Sequence, residues 1–240
     1  MSDRHDSGLP RDRQALDERA ILVIGTTTAS RAPAIADAAG ARGARVVLVT
    51  PDTDTLDFPS RVTSALESEA AIDRVFDAAL DRLSRLDVVV VVLVVPAVDA
   101  LHTLSLERWR ERIALPLRTT FWLAQRALDE FLGSGEGGRL IFVVDRPGGD
   151  TAGDGVRIVA EAITSLARSL AREYGRRAVS CQVVVRADDD RNTPSGVEPQ
   201  DPVVECVLFL ASSAASFVTG EVVTVGCLVA APASMEPRTP

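Results

Sequence analysis

The sequence has no excess of positive charge, few cysteines and histidines, and no long apolar run. Its formal net charge is −8, so it offers no basic surface for nucleic acid or for an anionic membrane. The three cysteines, Cys181, Cys206 and Cys227, are widely spaced within apolar stretches and match no metal-binding or redox motif. We therefore expect reduced core thiols, no bound metal, and neither nucleic acid nor membrane as a partner.

Hydrophobic targeting segments are also missing. The apolar run over residues 88–95 is far shorter than the roughly 20 residues that a membrane-spanning helix needs, and it indicates a buried strand. Residues 1–19 are polar and charged and contain no apolar segment of the kind found in signal peptides. These features predict a cytoplasmic protein with a frayed tail over residues 1–19, one domain over residues 20–230, and a flexible tail over residues 231–240.

What the sequence does contain is a regular alternation of apolar strands and amphipathic helices. Ile72, Val75, Phe76 and Ala79 recur at helical spacing, and the same periodicity marks helices over residues 105–132, 156–174 and 203–211. Strands that are apolar throughout and alternate with helices predict a parallel sheet covered on both faces, which is a single-domain, doubly wound α/β fold. The predicted strands span residues 20–25, 45–50, 88–95, 140–144, 179–185 and 221–225.

Four segments, in this order and spacing, resemble the short-chain dehydrogenase/reductase family. They are similar to its second strand, its long interface helix, the second half of its catalytic helix, and its last helix, turn and strand. The matching segments are residues 43–49, the set Trp109, Leu117 and Phe121, residues 165–173, and residues 208–212 followed by 217–221. The resemblance covers about residues 18–230 and implies a Rossmann-like fold, NAD(P) binding and hydride transfer.

The positions that bind the cofactor in this family hold unsuitable residues in this sequence. The family's first loop carries three glycines that let the pyrophosphate approach the backbone and a helix N-terminus. By the resemblance, Gly25 keeps the first of these glycines, while Ala29 and Arg31 replace the other two. We therefore expect no dinucleotide cofactor. The remaining cofactor positions, by the same resemblance, are occupied by Thr50, Ala65, Val91 to Val94, and Arg186.

The catalytic positions are changed in the same way. The resemblance places Val156 at the family's tyrosine, Ala160 at its lysine, Asp145 at its serine and Pro116 at its asparagine. Neither valine nor alanine can carry a proton, and loss of a general acid–base typically costs about 10²–10⁴-fold in rate. Hydride transfer by the family mechanism is therefore not expected. Pro116 also lies inside a predicted helix, where it should force a kink.

The leading interpretation is a catalytically inactive subunit that supports an active short-chain reductase or another biosynthetic enzyme. The resemblance implies that helices over residues 104–131 and 156–174 form the interface of a homo- or hetero-oligomer. A cofactor-independent isomerase, cyclase or dehydratase is the alternative, with Asp145 as the candidate acid or base. A small-molecule sensor that uses the same cleft is a third hypothesis. A composition rich in Ala, Val, Arg and Asp favours a bacterial source.

Overall fold

The protein is built around a seven-stranded parallel sheet. The computed structural model describes residues 16–27, 30–51, 58–95, 101–145, 154–186 and 201–226. The strand order is β3-β2-β1-β4-β5-β6-β7, and every neighbouring pair runs parallel. The strands are β1 (Ala20–Gly25), β2 (Arg45–Thr50), β3 (Arg61–Thr63), β4 (Val88–Val94), β5 (Gly138–Asp145), β6 (Val179–Arg186) and β7 (Val222–Val225).

Helices cover both faces of this sheet and create two apolar layers. On one face, β1 residues such as Leu22 and Ile24 pack with α2, α4 and α5; on the other, Ile21 and Val23 pack with α1 and α6. The predicted single-domain, doubly wound fold is therefore confirmed. The helices are α1 (Ala32–Gly40), α2 (Glu69–Leu83), α3 (Leu106–Trp109), α4 (Leu115–Ser134), α5 (Asp154–Tyr174) and α6 (Pro202–Ala211).

The apolar composition of the central strands explains why they lie in the interior of the sheet. Val88 to Val92 are all buried, because β4 lies between β1 and β5 and is covered on both faces. The predicted strands agree with the observed ones to within two residues at each end. The short strand β3 has no such apolar run, and it is absent from the predicted strands.

Pro116 introduces a break rather than a smooth kink in the long predicted helix. A π-helical turn, Arg110–Ala114, separates α3 from α4, and the backbone N–H of Leu115 bonds to the carbonyl of Arg110. Pro116 then lies in the first turn of α4, where a missing N–H removes no bond from the helix interior. The π turn also buries Ile113 and contacts α5. The helix therefore accommodates Pro116 without losing a backbone hydrogen bond in its interior.

The folded domain begins earlier in the chain than predicted. Leu16, assigned to the tail, is fully buried among α1 and the neighbouring strands, and the Glu18 N–H bonds to the Gly43 carbonyl at 3.0 Å. The predicted boundary at residue 20 therefore falls too late, since one apolar residue inside a charged segment gave no periodic signal. Among the described residues, no helix is both long and apolar enough to cross a membrane.

The start of β5 gives a test of packing. A Cβ added at Gly138 would collide with the ring of Phe131, whereas a Cβ at Gly133 in α4 meets no atom within 4 Å. We expect Gly138→Ala to destabilise the fold by about 1–3 kcal/mol through overpacking. The matched control Gly133→Ala should stabilise it by about 0.5 kcal/mol, because alanine favours the helix. Urea unfolding of both variants checks this, and equal midpoints would contradict the packing assignment.

Candidate functional site

The candidate site lies at the carboxyl edge of the sheet, where β1 and β4 are neighbours but their helices leave on opposite faces. In doubly wound sheets, such a switch point opens the crevice that binds ligands. The loop after β1 starts at this point, and the Thr26 N–H bonds to the Val92 carbonyl at 3.0 Å. Gly25 has no room for a side chain, because a Cβ there would meet Ser30 Oγ and Ala32.

Arg31, at the N-cap of α1, fills this crevice with a charged side chain. Its guanidinium donates from Nη1 to the Asp145 carboxylate and from Nε to Asp201 Oδ2, the latter at 2.5 Å. Asp145 is the last residue of β5, and Asp201 caps α6 by accepting a hydrogen bond from the Val203 N–H at 3.0 Å. One arginine therefore joins three elements that meet at the crevice.

The electrostatics of this cluster keep Arg31 cationic. Burial lowers the pKa of its guanidinium, but the hydrogen bond to Asp201 and the charges of both aspartates raise it by more, so that the net shift is upward. Asp145 is the most buried of the three, with 5% of its side chain exposed against 20% for Arg31 and 34% for Asp201. Removing Arg31 would therefore leave a buried carboxylate without its counter-charge.

A second ion pair fixes the same two helices to each other. Arg42, just after α1, donates from Nη2 to both carboxylate oxygens of Glu205 in the first turn of α6, at 2.8 and 2.7 Å. Together with Arg31 and Asp201, this contact ties both ends of α1 to the beginning of α6. The β1–α1 loop is thus anchored by charge as well as by apolar packing.

The predicted cofactor positions Val91 and Val94 lie within the regular sheet. Val91 pairs with Ile24 and Phe142, and Val94 pairs with Asp145 at the far end of β4. The Val94 N–H lies 3.4 Å from Thr26 Oγ1. The backbone groups at these positions therefore form hydrogen bonds within the sheet and to the β1–α1 loop.

The other predicted cofactor positions lie at or near the same edge. Thr50 is buried at the end of β2, Arg186 ends β6 and is half-buried, and Ala65 is exposed beyond β3. Ala65 lines a cavity of about 370 Å³ that extends to the start of α2. Ala29 lies outside the described residues.

Two of the predicted catalytic positions belong to the apolar core. Val156, at the predicted tyrosine position near the start of α5, is 1% exposed and packs with Val159 and Ile163. Ala160, at the predicted lysine position, is half-buried against the same cluster. Pro116 is half-buried at the start of α4, with its carbonyl accepting a hydrogen bond from Thr120 Oγ1 at 2.7 Å. Of the four catalytic positions, only Asp145 carries a titratable side chain.

The two described cysteines are free thiols in β6 and α6. Cys181 is buried in β6, and burial raises the pKa of its thiol to about 12. Cys206 is half-buried in α6, and burial raises its pKa as well. Both are free thiols that remain protonated at neutral pH, which agrees with the predicted role as core residues. Cys227 lies outside the described residues.

Comparisons with known proteins agree with this architecture. The sequence profile of the short chain dehydrogenases matches residues 19–187, and the chain therefore belongs to that family. Subunit BbsD of (2S)-[(R)-hydroxy(phenyl)methyl]succinyl-CoA dehydrogenase from Thauera aromatica is 26% identical, over 87% of this chain and 86% of that protein. A crystal structure from Burkholderia xenovorans, assigned to the short-chain dehydrogenases/reductases, superposes with a TM-score of 0.77 at 22% identity, over 88% of this chain and 96% of that one.

The amino-acid composition adds a constraint on the chemistry of the site. All 26 basic residues are arginines, so the chain has no lysine amino group at any position. Tyr174 is the only tyrosine, and it ends α5, at the amino edge of the sheet and away from Arg31. Asn192 is the only asparagine and lies outside the described residues.

A double-mutant cycle tests whether Arg31 and Asp145 act as a pair. We expect Arg31→Met to cost about 2–3 kcal/mol, because it strands a buried carboxylate, although partial exposure moderates the loss. Adding Asp145→Asn should recover part of this cost, so that the double variant is more stable than the sum of the single effects by about 1–2 kcal/mol. Urea denaturation at neutral pH measures all four proteins.

The control for this cycle is Asp201→Asn, which keeps a good helix N-cap and removes only the charge. It should cost about 1 kcal/mol or less, because Asp201 is the most exposed of the three side chains. Strictly additive effects for Arg31 and Asp145 would contradict the pairing.

Proposed function

We propose that this protein is a non-catalytic member of the short-chain dehydrogenase family that acts as a subunit beside a catalytically intact relative. The observation that carries the proposal is the ion-paired Arg31 at the start of α1, where a dinucleotide of this family places its pyrophosphate. The protein would contribute a stable surface and orientation to its partner rather than chemistry.

The charges at the crevice do not fit a dinucleotide. A pyrophosphate at the start of α1 would have to displace the Arg31 guanidinium and would then lie beside the carboxylates of Asp145 and Asp201. Displacement also breaks the ion pairs that Arg31 forms with both aspartates. Binding of a dianion would therefore compete with the ion pairs that close the loop.

The residues around the start of α5 also favour a protein without proton-transfer chemistry. Val156 and Ala160 present only aliphatic groups, and no lysine elsewhere in the chain can supply the missing amine. Loss of both the tyrosine and the lysine removes the proton donor and the charge that lowers its pKa.

The outer side of α3 and α4 is the surface that we assign to the partner. Four large apolar side chains lie exposed on it, and the Arg118 guanidinium stacks on the Trp122 ring at 4.9 Å. Contiguous exposed apolar residues mark interaction surfaces in soluble proteins. A relative that is named as a subunit of a dehydrogenase supports an assembly of this kind. The exposed fractions are 64% for Leu106, 38% for Trp109, 40% for Leu115 and 52% for Phe121.

A cofactor-independent enzyme is the less favoured alternative. Asp145 is a buried carboxylate at a crevice, which is a common setting for an acid or base. Its carboxylate is engaged by Arg31, however, and is not free to meet a substrate. Unchanged turnover after Asp145→Asn, once a substrate is found, would exclude this role. A sensor that only binds a small molecule at the crevice would have to displace the same arginine.

Cofactor binding provides the first test. We expect neither NADPH nor NADH at millimolar concentration to shift the melting temperature or to change cofactor fluorescence, because Arg31 occupies the phosphate position. A ligand at 100 times its dissociation constant would stabilise the fold by about 2.7 kcal/mol, which both readouts detect. A reductase with an intact glycine-rich loop is the positive control.

The variant Arg31→Gly tests whether Arg31 alone prevents cofactor binding or whether other residues also prevent it. We expect it to remain without cofactor binding, because Thr50, Ala65 and the continuous strand β4 also fail to offer cofactor contacts. Binding that appears only in the variant would show that Arg31 alone closes the site. Clear binding to the unaltered protein would refute the proposal.

Association with a partner provides the second test. Isolated under native conditions from its own host, the tagged protein should co-elute with a short-chain dehydrogenase that retains its glycine-rich loop, tyrosine and lysine. Phe121→Arg should abolish the association, because it places a charge in the apolar surface of α4. The control Phe217→Arg alters a fully exposed phenylalanine elsewhere and should leave the association intact. A solitary monomer or homo-oligomer in the host would count against the subunit role.

A further inference from the structure

A second cavity lies at the amino edge of the sheet, opposite the Arg31 crevice. Its volume is about 600 Å³, and it is bounded by the residues that precede β1, β4, β5, β6 and β7. Neither the family resemblance nor the proposed function assigns it a role. Its charged, polar and aromatic lining comprises Arg19, Asp87, the exposed Glu136, Arg139, Ser180 and Phe217 among others.

Arg139 forms the inner, cationic wall of this cavity. It is 8% exposed, and its guanidinium donates to the Leu210 carbonyl at 2.9 Å and to Ser216 Oγ at 3.0 Å. Both acceptors are neutral, and no ion pair with a carboxylate is found for Arg139 within the described chain. Burial and the nearby charge of Arg19 lower the pKa of Arg139. A buried positive charge whose hydrogen-bond acceptors are both neutral thus borders the cavity.

Arg19 brings a second guanidinium to the same cavity. It is half-buried, and within the described residues its side chain makes no hydrogen bond and no ion pair. The Asp87 carboxylate, which also lines the cavity, accepts from the Ala20 N–H at 2.8 Å and pairs with Arg85 at 3.1 Å. Asp87 is therefore already engaged, and two arginines face the cavity with their own charges in mutual repulsion.

A polar and an apolar group complete the lining. Ser180 Oγ is buried and has no hydrogen-bond partner in the part of the chain that the structure describes. A buried hydroxyl without a partner is costly unless something else bonds to it. Phe217 at the rim is fully exposed and offers an aromatic face. The cavity therefore presents donors for an anion inside and a surface for a ring at its mouth.

We propose that this cavity binds a small oxyanion, a carboxylate or phosphate group carried by a molecule with an aromatic or apolar part. Arg19 would donate to the oxyanion, Arg139 would provide the charge behind it, and Phe217 would pack on the apolar part. Arginine recognises both carboxylate and phosphate oxygens through paired donors. The site is independent of the crevice at the opposite edge of the sheet.

Calorimetric titration of the full chain with four probes tests the site. Phenyl phosphate and benzoate should bind with a one-to-one stoichiometry, inorganic phosphate more weakly, and neutral benzamide not at all. The ranking of phenyl phosphate against benzoate distinguishes a phosphorylated ligand from a carboxylic acid. Absence of binding by both aromatic anions at about 10 mM, or equal binding of benzoate and benzamide, would overturn the proposal.

Three variants locate the bound anion. Arg19→Gln should weaken binding of the aromatic anions about tenfold or more, since it removes a charge-assisted hydrogen bond. Phe217→Ser should weaken the aromatic anions without changing the affinity for inorganic phosphate. Arg31→Gln, at the opposite edge, should have no effect. Loss of binding in Arg31→Gln with retention in Arg19→Gln would place the anion in the crevice and refute the site. Arg139 is left unaltered because it holds the last turn of α6.

Discussion

A parallel sheet buried on both faces is the constraint on which the rest of this structure depends. Every connection between neighbouring parallel strands must cross over a face of the sheet, so each loop leaves at the carboxyl edge and returns at the amino edge. The valine-rich strand β4 is at the centre of this arrangement and is buried along its length. The two edges therefore collect most of the irregular backbone, and both candidate binding regions lie there.

The carboxyl edge is stabilised by charge in a place where its relatives leave space. Arg31 would be an unfavourable residue in a closed crevice on its own, and Asp145 would be an unfavourable buried carboxylate on its own. Together they compensate each other, and Asp201 adds a partner that also begins α6. A change at any one of the three positions therefore affects the other two.

The fold could be predicted from the sequence far more completely than the site. Apolar runs such as Val88–Val94 define buried strands almost without ambiguity, whereas Leu16 and the three-residue strand β3 are too short to show a period. Pro116 predicted a local disturbance, but its form as a π-helical turn depends on packing of Ile113 against α5. Local apolar patterns therefore specify helices and strands, whereas tertiary contacts determine where and how these helices and strands end.

The ion pairs of the site have no local signature at all. Arg31 and Asp145 are separated by 114 residues and Arg31 and Asp201 by 170, so only the folded sheet brings them together. The resemblance singled out Arg31 and Asp145 as departures from the family pattern, and it did not single out Asp201. Sequence reasoning could thus identify what is missing from the crevice, but not what has replaced it.

The contrast between the two edges bears on how the protein works. At the carboxyl edge, opposite charges satisfy each other, so a ligand there must break existing interactions before it forms new ones. At the amino edge, Arg19 and Arg139 form no ion pair within the described residues, so an anion there would not have to break one. If a small molecule regulates this protein, electrostatics favour the amino edge, which lies away from the exposed apolar surface of α3 and α4.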